Sequence, residues 1–345
     1  MRESKKPALA PMLKELRSIL LNNDTFPEAE EFGDGKMRAA LSRFEKKFRP
    51  SHRMKVDVRT VEHFIRKHRF FGLYRWYLNE FQRMGARVIF IEGADAVGKT
   101  SLIKPLSRRL GAVDIENQSN KLFYRLFKMP KIYRMVVADY NDNTAVGLLF
   151  YLCMNIMALE KVYELFKKGY RYAVIESSVL RTLSARMAIP SPVNENELLI
   201  DRRIYRLVRG TLTGHYLNSV KDFRRSLFLV FLFASKGVRR DQAREGGKRE
   251  YLHYESNRKY SSFVEQYLRE NQIALRKLRV PLISMLLVTQ GEKDRAYAIK
   301  SKIGVDEVFV RTKDMKEDIR RKVALLMDSM KEHPKTLHNP KCCWL

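Results

Sequence analysis

The chain has 345 residues, 45% of them apolar, enough to bury a core as one large α/β unit with an appendage or as two domains. Lys and Arg total 67 against 39 Asp and Glu, a net charge of +28, so the expected partners are polyanions: nucleotides, nucleic acid or anionic lipid. Three cysteines (Cys153, Cys342, Cys343) provide neither a disulfide framework nor a metal-ligand spacing, and no apolar stretch reaches the roughly 18 residues expected of a membrane span.

Residues 1–86 read as a basic, mainly helical N-terminal extension, interrupted by Pro27, Gly33, Gly35 and Pro50. They lack the apolar segment of a secretory signal, and a cytoplasmic location is expected. Leu13, Leu16 and Leu20 on a basic background leave mitochondrial targeting as a weaker reading. The spacing predicts one long helix over 58–84, with Val61, Phe64, Ile65, Phe71, Leu73, Trp76, Tyr77 and Phe81 along an apolar band. Its aromatic residues interleave with Arg and Lys. A nucleic-acid or membrane surface has that pattern; so does a helix packed on the core with its basic edges snorkelling, which is favoured.

Residues 87–332 carry the signature of a parallel α/β sheet, strands alternating with helices. The apolar run 87–92 suits a buried parallel strand. It leads into Gly93-Ala94-Asp95-Ala96-Val97-Gly98-Lys99-Thr100, a complete P-loop, and Ser101 opens a helix marked by Leu102, Ile103, Leu106 and Leu110. The glycines let backbone N–H groups turn inward and the helix N-terminus adds positive potential. Lys99 is placed to reach the β- and γ-phosphates of a nucleoside triphosphate, and the Thr100 hydroxyl to hold Mg²⁺. The expected fold is a P-loop NTPase-like α/β fold, a parallel sheet with helices on both faces.

Further along, 144–168 is apolar on most sides and predicts a buried helix interrupted by Asn155. A strand over 172–176 ends in Glu176; Pro190 and Pro192 mark a loop; 227–234 is a central buried strand. A Gly/Arg-rich segment, 235–250, leads into a long helix from 251 to about 278. Strands over 282–289 and 307–311 and an amphipathic helix over 315–330 complete the unit, and 333–345 is a tail.

Four groups of residues are candidates for chemistry. Glu176, at the end of a strand beside the P-loop, suits Mg²⁺, with capping of the next helix as the alternative. Asp201 also ends an apolar run, 198–200, and ranks lower. Arg239, Arg240 and Arg244 lie in the glycine-flanked segment, where a closing lid would neutralise a migrating phosphoryl group. Phe150, Tyr151 and Asn155 are candidate contacts for a base or phosphate; core packing is the more frequent explanation for the two aromatic residues, and a satisfied core amide is the alternative for Asn155.

From 87 to about 330 the chain resembles the thymidylate kinase family, especially the mitochondrial-type UMP-CMP kinases of its eukaryotic branch. The likeness rests on the P-loop 90–100 with Asp95 inside it, on Leu149-Phe150-Tyr151-Leu152-Cys153-Met154-Asn155, and on Glu255-Ser256-Asn257 followed by Phe263-Val264-Glu265 and Tyr267. The resemblance implies that Asp95 lies near the acceptor nucleotide. It also implies that lid arginines supply the transition-state cation, since Ala96 leaves the loop without its own. Glu176-Ser177-Ser178 departs from the family's Asp-Arg-aromatic sequence; Glu176 can replace the Asp, and Arg181 or Arg186 stands nearest to replace the Arg.

The expected activity is transfer of the γ-phosphate of ATP, with Mg²⁺, to a nucleoside monophosphate, dTMP or another pyrimidine. A deoxynucleoside kinase and a non-catalytic basic protein binding nucleotide or nucleic acid are the alternatives. A homodimer is compatible with the sequence, and nucleic acid is a less favoured partner. Membrane attachment depends on prenylation of Cys342 in the terminal Cys342-Cys343-Trp344-Leu345.

Overall fold

The computed structural model describes residues 9–22, 35–47, 55–94, 97–115, 118–128, 144–190, 198–245, 258–302, 304–312 and 314–332. Its strands are β1 (Arg87–Gly93), β2 (Val113–Ile115), β3 (Tyr172–Glu176), β4 (Ala188–Pro190), β5 (Leu198–Ile200), β6 (Leu227–Ala234), β7 (Leu282–Val288) and β8 (Glu307–Val310). Six of them form one sheet in the order β2-β3-β1-β6-β7-β8, and every pairing in it is parallel. β1, β6 and β7 are buried along their whole length, which is why they read as near-continuous apolar runs rather than alternating ones. β4 and β5 form a separate antiparallel pair, so Pro190, expected in a loop, closes a short strand instead.

The helices are α1 (Leu9–Leu21), α2 (Gly35–Lys47), α3 (Val58–Lys67), α4 (Phe70–Arg83), α5 (Lys99–Leu110), α6 (Ser119–Phe127), α7 (Thr144–Lys167), α8 (Val179–Arg186), α9 (Arg202–Leu207), α10 (Thr213–Val220), α11 (Lys236–Glu245), α12 (Arg258–Lys277), α13 (Lys293–Ile299) and α14 (Met315–Glu332). A π-helical turn, Val208–Leu212, joins α9 to α10. Strand and helix alternate around this parallel sheet, with helices preceding it in the chain.

The single long helix expected over 58–84 is two. Asp57 caps α3 by accepting from the N–H groups of Arg59 (3.0 Å) and Thr60 (3.1 Å). The chain then breaks at His68 and Arg69, the latter in the left-handed region at φ 47°. The break lets α4 turn its aromatic side inward: Phe70, Tyr74, Tyr77 and Phe81 are fully buried. α4 packs on α7 and α10 and touches β1, so the favoured reading of these aromatics, a helix laid on the core, is the observed one. Burying each such ring stabilises the fold by about 2 kcal/mol.

α7 is long and apolar enough to cross a bilayer, a property that counting uninterrupted apolar residues does not register. It is a core helix here: α1, α3, α4, α6 and α8 all pack on it. The helix expected from 251 is described from Arg258, residues 251–257 lying outside the described residues. The tail with Cys342 and Cys343 lies outside them too.

Candidate functional site

β1 sits between β3 and β6, and the chain reverses direction across the sheet there: β1 crosses to β2, and β3 crosses back to β6. Ligands of open α/β sheets bind beyond the carboxyl ends of strands at such a switch point. The register sets Ile91 beside Glu176 and Gly93 beside Leu232, so β1, β3 and β6 end together around the loop 93–100.

Two glycines make that loop. A Cβ on Gly93 would stand 2.6 Å from the Leu232 carbonyl oxygen and 2.7 Å from Val97 Cγ2, so only glycine allows β6 this close. Gly98 has φ 86°, a left-handed conformation that turns the chain into α5. Ala94 and Val97 are buried, whereas Asp95 and Ala96 lie outside the described residues. Lys99, in the first turn of α5, is 6% exposed and folds back to donate from Nζ to the carbonyls of Gly93 (3.2 Å) and Ala94 (2.7 Å). Thr100 and Ser101 follow it on the exposed side of the helix start. A helix start with no side-chain cap at Gly98 and a lysine in its first turn are suited to hold phosphate groups.

The Thr100 hydroxyl lies 3.4 Å from Glu176 Oε1 and 3.5 Å from Oε2, astride the carboxylate and longer than a good hydroxyl–oxygen hydrogen bond. A hydroxyl and a carboxylate converging at this spacing are hard oxygen donors that fit Mg²⁺, which retains several of its waters. No group of three or more His, Cys, Asp or Glu side chains able to hold a metal occurs among the described residues. The capping alternative for Glu176 is excluded, because Ser178 caps α8, its Oγ accepting from the Leu180 N–H at 3.1 Å. Between them Ser177 has φ 71°, and this left-handed kink separates Glu176 from the helix.

Glu92, overlooked as a site residue, anchors the arrangement. It is fully buried at the end of β1, and its Oε1 accepts from the Ser178 N–H at 2.7 Å. Its Oε2 has no hydrogen-bond partner among the described residues. Burial pushes its carboxyl above the ordinary value, against the opposing pull of Ser178, Lys99 and Arg181. Ser178 Oγ in turn lies 3.2 Å from Tyr216 Oη on α10, and the Tyr216 ring meets Tyr74 of α4 edge-on at 5.9 Å. The sequence did carry a signal: an acidic residue inside an apolar strand needs a partner, and none lies near it in the chain.

The remaining predicted contacts divide. Arg181 on α8 is close enough to act electrostatically on Glu92. Arg186, one turn further on, holds its guanidinium 4.2 Å from the centre of the Tyr151 ring. Asn155 is buried in the core, where its Nδ2 donates to Tyr151 O and Thr182 Oγ1, both at 2.8 Å. Phe150 is likewise fully buried, edge-on to Tyr151 at 5.4 Å. Asp201 is an N-cap, accepting from Arg203 N (2.9 Å), Ile204 N (3.0 Å) and Thr144 Oγ1 (2.9 Å).

The flexible lid expected over 235–250 is helical from Lys236 to Glu245, and residues 246–250 lie outside the described residues. Arg239 is buried and pairs with Glu265 of α12 at 3.0 Å; the same carboxylate holds Arg269 at 2.6 Å. Arg239 thus ties α11 to α12 by an ion pair. The side chains of Arg240 and Arg244 lie outside the described set.

No family model matches the chain, and no curated protein matches it by sequence. It is similar to a deoxyadenosine kinase from M. mycoides with dCMP and dCDP bound: 14% identity and TM-score 0.36, over 71% of this chain and 99% of that one. It is also similar to a shikimate kinase from Acinetobacter baumannii in complex with shikimate (12%, TM-score 0.33, 71% and 95% covered). A third likeness is to the PezAT toxin–antitoxin system of Streptococcus pneumoniae (10%, TM-score 0.33, 89% and 100% covered).

Proposed function

We propose that this chain is an ATP-dependent phosphotransferase whose acceptor is a nucleoside monophosphate, dTMP or another pyrimidine monophosphate. The observation that carries the reading is the convergence of Thr100 and Glu176 beside the glycine-bounded loop at the sheet's switch point. Lys99 and the start of α5 hold the donor phosphates. Thr100 and Glu176 hold Mg²⁺, which when bound neutralises charge on the transferring phosphoryl group. Little covalent work falls to the protein; positioning and positive charge suffice. Arg181 and Arg186, on successive turns of α8, supply the charge on the acceptor side that Ser177 does not. The choice of a monophosphate over a nucleoside rests on the sequence resemblance and on these two arginines.

A coupled ADP-release assay over a panel of nucleosides and nucleoside monophosphates tests this. The expected result is ATP turnover with pyrimidine monophosphates, lowered at least a hundredfold by Lys99→Ala in a variant that remains folded by circular dichroism. Turnover with nucleosides alone would reassign the acceptor, and saturable Mg·ATP binding without turnover on any acceptor would defeat the enzymatic reading.

A further inference from the structure

The four central strands start side by side, in the order β3-β1-β6-β7, on the sheet edge opposite the loop 93–100. The turns that feed them are dense in cations. Lys168 and Arg171 precede β3, and Arg83 precedes β1, which itself opens on Arg87. Lys221, Arg224 and Arg225 precede β6; Lys277 and Arg279 precede β7. At about 4.8 Å per strand, the row extends roughly 15 Å across the sheet. It stands about 20 Å from the P-loop, given the roughly 3.3 Å rise per residue along β1.

Little of this charge is neutralised. Asp222 pairs with Arg75 (2.8 Å), Glu80 with Arg83 (2.8 Å) and Asp306 with Arg276 (2.5 Å). Arg171, Arg224 and Arg225 have no carboxylate within ion-pair distance among the described residues, and neither do Lys168, Lys277 and Arg279; all six are exposed. Several guanidinium groups are held instead by backbone carbonyls. Arg171 donates to Met84 O, Arg87 Nε to Arg225 O at 3.1 Å, and Arg224 Nη2 to Leu278 O at 3.3 Å. Such bonds orient the cations without cancelling them. A pocket of 320 Å³ lined by Gln82, Lys221, Asp222, Arg224 and Arg225 opens in this row.

We infer that this basic rim binds the phosphate backbone of nucleic acid. The arginines match phosphate oxygens with a planar fork, and backbone contacts of this kind need no particular base sequence. Tyr170, 42% exposed between Lys168 and Arg171, offers a ring on which an unpaired base can stack. A membrane surface fits less well, because the rim is built of turns rather than of a helix with an apolar face to insert. The inference is independent of the proposed phosphotransfer, whose residues lie at the other edge of the sheet.

The test is fluorescence anisotropy of the full chain with a labelled 20-nucleotide strand and its duplex, between about 50 and 300 mM NaCl. Saturable binding that weakens steeply with salt is expected. Replacing Lys168, Arg225 and Arg279 together by Gln should weaken it at least tenfold. It should also flatten the log–log salt slope by about 2, since each phosphate contact contributes roughly 0.7 on a single strand. Melting temperature and Mg·ATP binding should stay unchanged. The three single replacements are measured alongside, so a triple variant that fails to fold leaves the comparison intact. Binding untouched by all of these replacements, or displaced by saturating Mg·ATP, would overturn the inference. So would retention of the chain by phosphatidylserine vesicles while the oligonucleotide fails to bind.

Discussion

The Ser178 N–H donates to Glu92 Oε1 at 2.7 Å, joining residues 86 positions apart. That one bond sets the start of α8 against the end of β1. It thereby holds Glu176, two residues before Ser178, within reach of Thr100. A buried carboxylate with one oxygen unpartnered among the described residues is a costly way to make a joint. Its position beside the P-loop gives the cost a reason, because the site proposed there needs supports that do not slide.

Replacing this carboxylate separates charge from shape. Glu92→Ala leaves the Ser178 N–H buried without its acceptor and should cost about 2 kcal/mol, read as a lower denaturant midpoint. Glu92→Gln keeps the acceptor and removes the buried charge, so at pH 7 it should be at least as stable as wild type. The folded-state pKa of Glu92 is raised, so its ionisation costs stability as pH rises from the unfolded value of 4.5 through the folded one. Any advantage of the Gln variant should therefore vanish below about pH 4.

Glycine 93 should tolerate nothing larger. Gly93→Ala drives a methyl against the Leu232 carbonyl at 2.6 Å, backbone that cannot swing away. A loss of about 2–3 kcal/mol is expected. Gly98→Ala meets the left-handed strain at φ 86°, which should cost about 1 kcal/mol. Thermal melts of the two variants check the ranking.

Glu176→Gln should leave the melting temperature unchanged and raise the Mg²⁺ concentration for half-maximal turnover at least tenfold, because a neutral amide replaces the anionic donor beside Thr100. A metal titration at saturating ATP reads this directly. An unchanged Mg²⁺ requirement would remove Glu176 from the site.

Asn155→Ala is expected to act on stability alone. It strips Thr182 of its partner inside the core and should cost about 1–2 kcal/mol, with the KM for the acceptor unchanged within twofold. Measuring both on one preparation separates a core amide from a substrate contact.

Lys322 on α14 makes the fold sensitive to alkali. Burial lowers its ammonium from 10.5 to about 8, with Asp318 opposing and Arg311 and Arg321 adding to the shift. Below pH 8 the folded chain carries the full cost of this charge. Between 8 and 10.5 the unfolded chain binds more protons and stability rises with pH. Lys322→Met should therefore stabilise the protein at pH 7 by on the order of 1–2 kcal/mol, with the gain shrinking toward pH 10.5. Urea midpoints across that range decide it.

Local order along the chain is enough to read the P-loop between Gly93 and Thr100, the parallel strands that appear as apolar runs, the core helix α7 and the carboxylate that closes β3. Each depends on neighbours in the chain: a glycine spacing, a run of apolar residues, a period. Tertiary structure decided whatever depends on a distant partner. It split 58–84 at Arg69 so that α4 could bury its rings. It set Arg239 against Glu265 and Asn155 against Thr182. It also aligned the cationic turns before four separate strands into one row. Glu92 needs both levels: its place before Gly93 is legible in the chain, but the amide that holds it belongs to Ser178, and only the pairing of β1 with β3 brings the two together.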